Sequence, residues 1–160
     1  MRLLQDQTAE QKLGESLIIQ TAVRILVPFI QLFGLYVIVH GHYSPGGGFQ
    51  GGVILGASFV LLTLAFDQKF ALGYMSEKAN NMLSNAGALL FTGTATLCAI
   101  CYGGKFLDYS ALDKLLPLGP IGWRSFGIFV VEVGVGLAVM SISAALFWLL
   151  GSNGEMDEGL

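Results

Sequence analysis

The stretch HGHYSPGGGFQGG, residues 40–52, decides the fold, because a long apolar run lies directly on each side of it. Proline lacks the amide hydrogen that a helix needs and restricts the residue before it, so Pro45 ends the first helix. The glycines that follow can take backbone angles that are closed to other residues. The stretch therefore predicts a tight hairpin between two buried helices.

The hairpin has two interpretations, a structural turn or a polar site. Glycines at the start of the second helix let another backbone approach closely, which favours the structural turn. A helix start also carries free amides and a positive dipole end, which can face an anion or a polar group. The residues assigned to the hairpin motif are Pro45, Gly46, Gly47, Gly48, Phe49, Gly51 and Gly52.

Composition places the chain in a membrane. Of its 160 residues, 54% are hydrophobic, only 12% are charged and 22 are glycine, which is unusual for a soluble domain. Since about 20 apolar residues cross a bilayer, we predict an all-α integral membrane protein with four transmembrane helices. The predicted spans are 17–39, 49–66, 83–102 and 127–150. A polar segment, 1–16, precedes this transmembrane domain of residues 17–150, and an acidic tail, 151–160, follows it.

The charges give weak orientation signals and exclude one class of partner. Four spans place both termini on one side. That side carries Arg2, Lys12, Lys69 and Lys78, and the other carries Lys105, Lys114 and Arg124. This excess favours cytoplasmic termini in a multi-pass protein of the cell membrane. The net charge of −3 without a basic patch argues against nucleic acid as a partner.

No catalytic, metal or cofactor site is predicted. Cys98 and Cys101 form a C-x-x-C pair, but they lie inside the third apolar run without further ligands, so we interpret them as small packing residues. In the connection 103–126 we expect a short interfacial helix that stops at Pro117 and Pro120. Tyr109 and Trp123 would anchor this connection at the headgroups.

Four ionisable residues are candidates for an ion or proton path. Glu132 is the only acid inside an apolar run; ionised it needs a partner, and neutral it can carry a proton. Chain direction places it in the same half of the membrane as His40 and His42, whereas Arg24 lies in the other half. Each has a structural alternative: Glu132 as a hydrogen bond between helices, the histidines as helix caps, and Arg24 as a side chain that reaches the headgroups.

The run GHYSPGGGFQGGVILGASFVLLTLAFD, residues 41–67, resembles the signature of the MnhB/MrpB domain family. This family provides the small B subunit of Mrp-type multisubunit sodium/proton antiporters and also occurs in the membrane arms of energy-converting hydrogenases. The four-span plan, the LPLGP connection and the Gly-rich last span are similar too.

The resemblance implies a non-catalytic subunit that needs other subunits, with Na+ and H+ as the ions that the whole complex transports. It would contribute to assembly and to a cation or proton path. The alternative host is a hydrogenase-type redox complex, and a third possibility is a purely structural adaptor. The sequence alone does not separate them.

Overall fold

The computed structural model of the chain describes residues 2–41, 46–101, 106–109 and 119–151, without the side chains of residues 2–16, 101, 119 and 120. The described elements are helices: α1 (Arg2–Val39), α2 (Gly48–Phe66), α3 (Gln68–Tyr74), α4 (Glu77–Thr96), a π-helical turn (Leu97–Cys101) and α5 (Gly119–Gly151). Residues 42–45 of the hairpin lie outside this description, so its predicted turn stays a prediction. The tail after Gly151 lies outside it as well.

Four of these helices are long and apolar enough to cross a membrane: Leu17–Val39, Gly48–Phe66, Glu77–Ile100 and Ile121–Gly151. The predicted all-α, four-span class is therefore confirmed. The polar segment before Leu17 continues the first span as part of α1.

The third and fourth spans begin earlier than predicted, and in each case the helix start explains why. The side chain of Ser76 accepts a hydrogen bond from the Ala79 amide at 3.2 Å, and Glu77 places a negative charge in the first turn of α4. In α5, Pro120 lies in the first turn, where an amide hydrogen is not needed. The short interfacial helix that we expected before the prolines falls largely on residues 102–105 and 110–118, which lie outside the described residues.

Helices α1 and α2 run antiparallel in close contact. An added Cβ at Gly34 would lie 2.9 Å from Leu55 Cγ and 3.3 Å from the Gly51 carbonyl oxygen, so the two backbones nearly touch. Farther along the pair, Gln31 Nε2 donates to Ser58 Oγ at 3.2 Å. This pairing brings the end of α1 and the start of α2 together.

Helices α2 and α5 run parallel, and glycines form their contact. A Cβ at Gly52 would lie 2.7 Å from the Gly136 carbonyl oxygen, and one at Gly56 would lie 2.8 Å from Ser143 Cβ. Near the other end, Trp148 Nε1 donates to Thr63 Oγ1 at 3.0 Å. A row of small residues thus allows close packing in a membrane, where lipid gives no hydrophobic drive for helix association.

The opposite face of α5 packs against α4, which runs antiparallel to it. A Cβ at Gly87 would lie 2.5 Å from the Gly134 carbonyl oxygen, and Asn80 Nδ2 donates to the Ser141 carbonyl oxygen at 3.0 Å. Helix α5 is therefore the central helix, with α2 on one side and α4 on the other.

Helices α4 and α5 extend well beyond the start of α2. Glu132 lies beside Gly48, the first residue of α2, whereas α5 begins 13 residues earlier, at Gly119. At about 1.5 Å of rise per residue, α5 therefore extends about 20 Å past the start of α2. In this extension Cys98 and Trp123 are buried together, with Tyr109 against them. Trp123 is only 5% exposed, so the prediction that it anchors at the headgroups is wrong.

Candidate functional site

Glu132 lies against the first residue of α2. A Cβ atom at Gly48 would collide with the backbone carbonyl oxygen of Glu132, so the two backbones are in direct contact at this point. Only glycine leaves room for this approach. The close contact fixes the height of Glu132 relative to the start of α2.

The carboxyl group of Glu132 is enclosed by glycines from both sides of the hairpin. An added Cβ at Gly41 would lie 2.6 Å from Oε2 and 2.7 Å from Oε1, and one at Gly47 would lie 3.3 Å from Oε1. Gly47 has φ of 122°, a backbone angle that other residues rarely adopt. The residues around the turn thus form a cradle for one acidic side chain, and we call Gly41, Gly47 and Gly48 the glycine cradle.

The start of α2 is electrostatically suited to hold a carboxylate. Its cap residue, Gly47, provides no side-chain hydrogen bond, and the first turn contains no acidic residue. The free amides and the positive dipole end of a helix stabilise a negative charge placed there. The acidic side chain beside this helix start comes from the fourth span of the same chain.

His40 lies one residue before the cradle. Its Nδ1 is 3.2 Å from the Tyr36 carbonyl oxygen, and its ring stacks on Tyr36 with centroids 4.1 Å apart. Since a carbonyl oxygen only accepts, this bond requires the hydrogen on Nδ1 and leaves Nε2 for another contact. His42 and Pro45 lie outside the described residues.

The other hairpin residues divide between packing and exposure. Gly51 meets Ile38 of α1, Gly52 meets α5, and Gly46 lies beside Val37. Phe49, in contrast, is 64% exposed and points away from the cradle.

Arg24 is remote from Glu132. Its guanidinium lies 5.1 Å from the ring centroid of Phe66, the last residue of α2, and its side chain is exposed. The first span runs toward the hairpin and α2 runs away from it, so Arg24 and Glu132 occupy opposite ends of the α1–α2 pair. This position is compatible with the structural alternative for Arg24, in which its long side chain reaches the membrane surface.

Three contributors were missed by the sequence reasoning. Gly41 precedes the glycine run and carries no pattern of its own, although it touches the carboxyl group. The Gln31–Ser58 and Thr63–Trp148 hydrogen bonds link helices below the cradle. These hydrogen bonds depend on the register between helices that are distant in the sequence, so no local pattern marks them.

Of the two cysteines, Cys98 has a described side chain, and it lies in a packed environment. Cys98 is fully buried beside Trp123, while the side chain of Cys101 lies outside the description. Among the described residues, no group of three His, Cys, Asp or Glu side chains is placed to hold a metal ion.

Comparison with known proteins identifies relatives along most of the chain. Residues 18–145 match the family described as a domain related to the MnhB subunit of Na+/H+ antiporter. The chain is 35% identical over 146 residues to a Bacillus subtilis protein named as the B subunit of a Na(+)/H(+) antiporter, covering 90% of this chain and 98% of that protein. It is 33% identical over 126 residues to a protein of Staphylococcus saprophyticus named putative antiporter subunit mnhB2, covering 78% of this chain and 86% of that protein. The range that matches the family includes both the glycine cradle and Glu132.

Proposed function

Because the chain belongs to the family of domains related to the MnhB subunit of Na+/H+ antiporters, we propose that it works as the B subunit of a multisubunit sodium/proton antiporter. It is a multi-pass membrane protein, and its transport partners are the other subunits of that complex. Relatives named as antiporter subunits favour this host over a hydrogenase-type membrane arm. We place both termini in the cytoplasm, in keeping with the charge distribution.

Within the complex, Glu132 belongs to the path of the transported proton or cation. The observation that carries this role is the position of its carboxyl group, enclosed by Gly41 and Gly47 at the start of α2. The helix start stabilises the carboxylate, and a carboxylate can bind a cation or accept a proton. His40 directly precedes Gly41 in the chain, and an imidazole is the other kind of side chain that commonly transfers protons.

The chain acts here as a non-catalytic component. A path through the whole membrane needs polar groups at several depths. This chain offers Glu132 at one end of the α1–α2 pair and Arg24 at the other. The other subunits must therefore supply the remaining polar groups. Glu132 would be one step in a shared path, reached from the side of His40 and His42.

The test replaces Glu132 with glutamine, which keeps the size and most hydrogen bonding but removes titration and charge. We expect Glu132→Gln complexes to assemble normally and to exchange sodium for protons about tenfold more slowly or worse, with an altered dependence on pH. The measurement is exchange activity against pH in vesicles at matched assembly. Glu77→Gln, the same change at an exposed position in the first turn of α4, is the control and should match the wild type. Superimposable curves for Glu132→Gln would leave this residue as a packing element.

A further inference from the structure

We propose that one exposed face of α4 docks against a transmembrane helix of another subunit of the antiporter, a proposal that rests on the function proposed above. We call this surface the α4 amide face. It consists of Asn81, Asn85, Ala88, Thr92 and Thr96. All five side chains are exposed, and at about 100° per residue they fall on one stripe of the helix.

The docking face lies away from the rest of the described chain. Asn80, Gly87 and Ala95 form the buried side of α4, and Asn80 and Gly87 contact α5 directly. The amide face points in another direction, where the described part of the chain offers no covering element. Since the four spans of this chain are placed elsewhere, a transmembrane helix that covers the face has to come from another polypeptide chain.

The composition of the third span does not suit lipid. Among the four candidate spans, Glu77–Ile100 has the lowest mean hydropathy and also the smallest buried share, 17%. A helix that faces hydrocarbon should be the most apolar, not the least. The exposed side of α1 shows what a lipid-facing surface looks like, since Phe29, Leu32 and Phe33 project from it.

Hydrogen bonding identifies what kind of partner fits. The hydroxyls of Thr92 and Thr96 donate to carbonyl oxygens one turn earlier in the same helix, at 2.8 and 2.7 Å, so they are already satisfied. Within the described part of the chain, the amide of Asn85 has no hydrogen-bond partner. Lipid tails cannot bond an amide, whereas polar side chains of a neighbouring helix can, and such bonds join helices inside membranes. The partner is therefore a transmembrane helix with a polar side chain level with Asn85.

The amide face consists of small side chains around its centre. Ala88 lies there, with Asn85 and Thr92 about one turn to each side. Small residues let two helix backbones approach, as they do between α2 and α5 in this chain. A partner helix could therefore pack against the amide face at similarly short range.

Substitution of Ala88 separates a docking surface from a lipid-facing one. Ala88 is exposed within the amide face, so Ala88→Leu adds an apolar side chain that lipid would accept. If another helix packs there, the added side chain should lower the recovery of the other subunits with the tagged chain by about tenfold or more. Ala86→Leu is the matched control and should give wild-type recovery, because Ala86 is exposed on the same helix on the side of Met82 and Leu89, away from the amide face. Wild-type recovery with Ala88→Leu would overturn the proposal.

A second measurement identifies the neighbour directly. In the fraction of complex that assembles, a photoreactive amino acid at Ala88 should form an adduct with another subunit, whereas the same group at Leu32 on α1 should react with lipid. Adducts with lipid alone from Ala88, or with a second copy of this chain, would overturn the docking partner named above. Neither experiment involves Glu132, so this proposal can fail while the path proposal stands, and the reverse.

Discussion

At Gly41 and Gly48, a single added methyl group would meet two different parts of the same residue. The methyl group at Gly48 would collide with the backbone of Glu132, whereas the one at Gly41 would crowd its carboxyl oxygens and also the Cα atom of Gly47. A helix backbone cannot move without shifting its whole element, while the end of a side chain can. Both positions of the glycine cradle therefore exclude a side chain, and Gly41 in addition controls the placement of the carboxyl group.

We predict that Gly48→Ala destabilises the complex by about 1–3 kcal/mol, the usual range for an overpacked contact. Gly46→Ala is the matched control from the same stretch, because its Cβ would come no closer than 3.3 Å to Val37 Cγ1 and 3.6 Å to the Val37 carbonyl oxygen. The measurement is the thermal midpoint of the purified complex in detergent, with subunit recovery. Equal midpoints for the two variants would show that close approach at Gly48 does not matter.

Single residues of the site could be recognised from the sequence, but their contacts could not. Glu132 and the glycine run stand out, because a charge in an apolar run and a proline followed by glycines are local patterns. The contact between them joins residues from the second and fourth spans. Gly41, which also lies beside the Glu132 carboxyl group, has no local signature in the sequence. Nor does the sequence show that the start of α2 lies beside an acid of the same chain.

At the scale of elements, the two small-residue faces of α5 explain its central position. One face contacts α2 through Gly136 and Ser143, and the other contacts α4 through Gly134 and Ala138. The sequence shows that the last span is rich in glycine, but not which helix each face contacts. It did not predict where α4 and α5 begin, because the Ser76 cap and the Trp123–Cys98 contact extend them beyond the most apolar residues.

Two fully buried serines in these interfaces should respond differently to the same change. Ser58 Oγ donates to the Leu55 carbonyl oxygen at 2.6 Å and accepts from Gln31, so Ser58→Ala leaves an amide without its acceptor and should cost about 1–3 kcal/mol. Ser141 Oγ has no hydrogen-bond partner within the described part of the chain, so Ser141→Ala should stay within about 0.5 kcal/mol of the wild type. The comparison needs only thermal unfolding of both purified variants. A larger loss for Ser141→Ala than for Ser58→Ala would contradict this hydrogen-bond assignment.

At the scale of the molecule, the helix directions place the two ends of the chain on one side. Helix α1 runs toward the hairpin, α2 and α5 run away from it, and α4 returns. The sequence predicts this from the count of spans alone. It could not predict that the α4–α5 pair extends about 20 Å beyond the α1–α2 pair, since that offset depends on the register of contacts between distant segments.

Labelling from outside the cell checks the proposed orientation. In a chain with both native cysteines replaced by alanine, we expect a membrane-impermeant maleimide to modify Phe106→Cys on intact cells and to leave Ser76→Cys unmodified. Both positions are exposed, and they lie beyond opposite ends of α4. After the cells are opened, both should react. The reverse pattern on intact cells would place the termini outside.

The central position of α5 also has a consequence for biosynthesis. Helices α1 and α2 can pair as soon as both have left the ribosome, but α4 finds its principal contacts on α5, which is made last. Until the final span enters the bilayer, the nascent chain therefore consists of an early helix pair and a third helix that is not yet joined to it. A message truncated before α5 would yield a protein that the quality-control proteases of the membrane could recognise, so only chains translated to the last span would survive to meet their partner subunits.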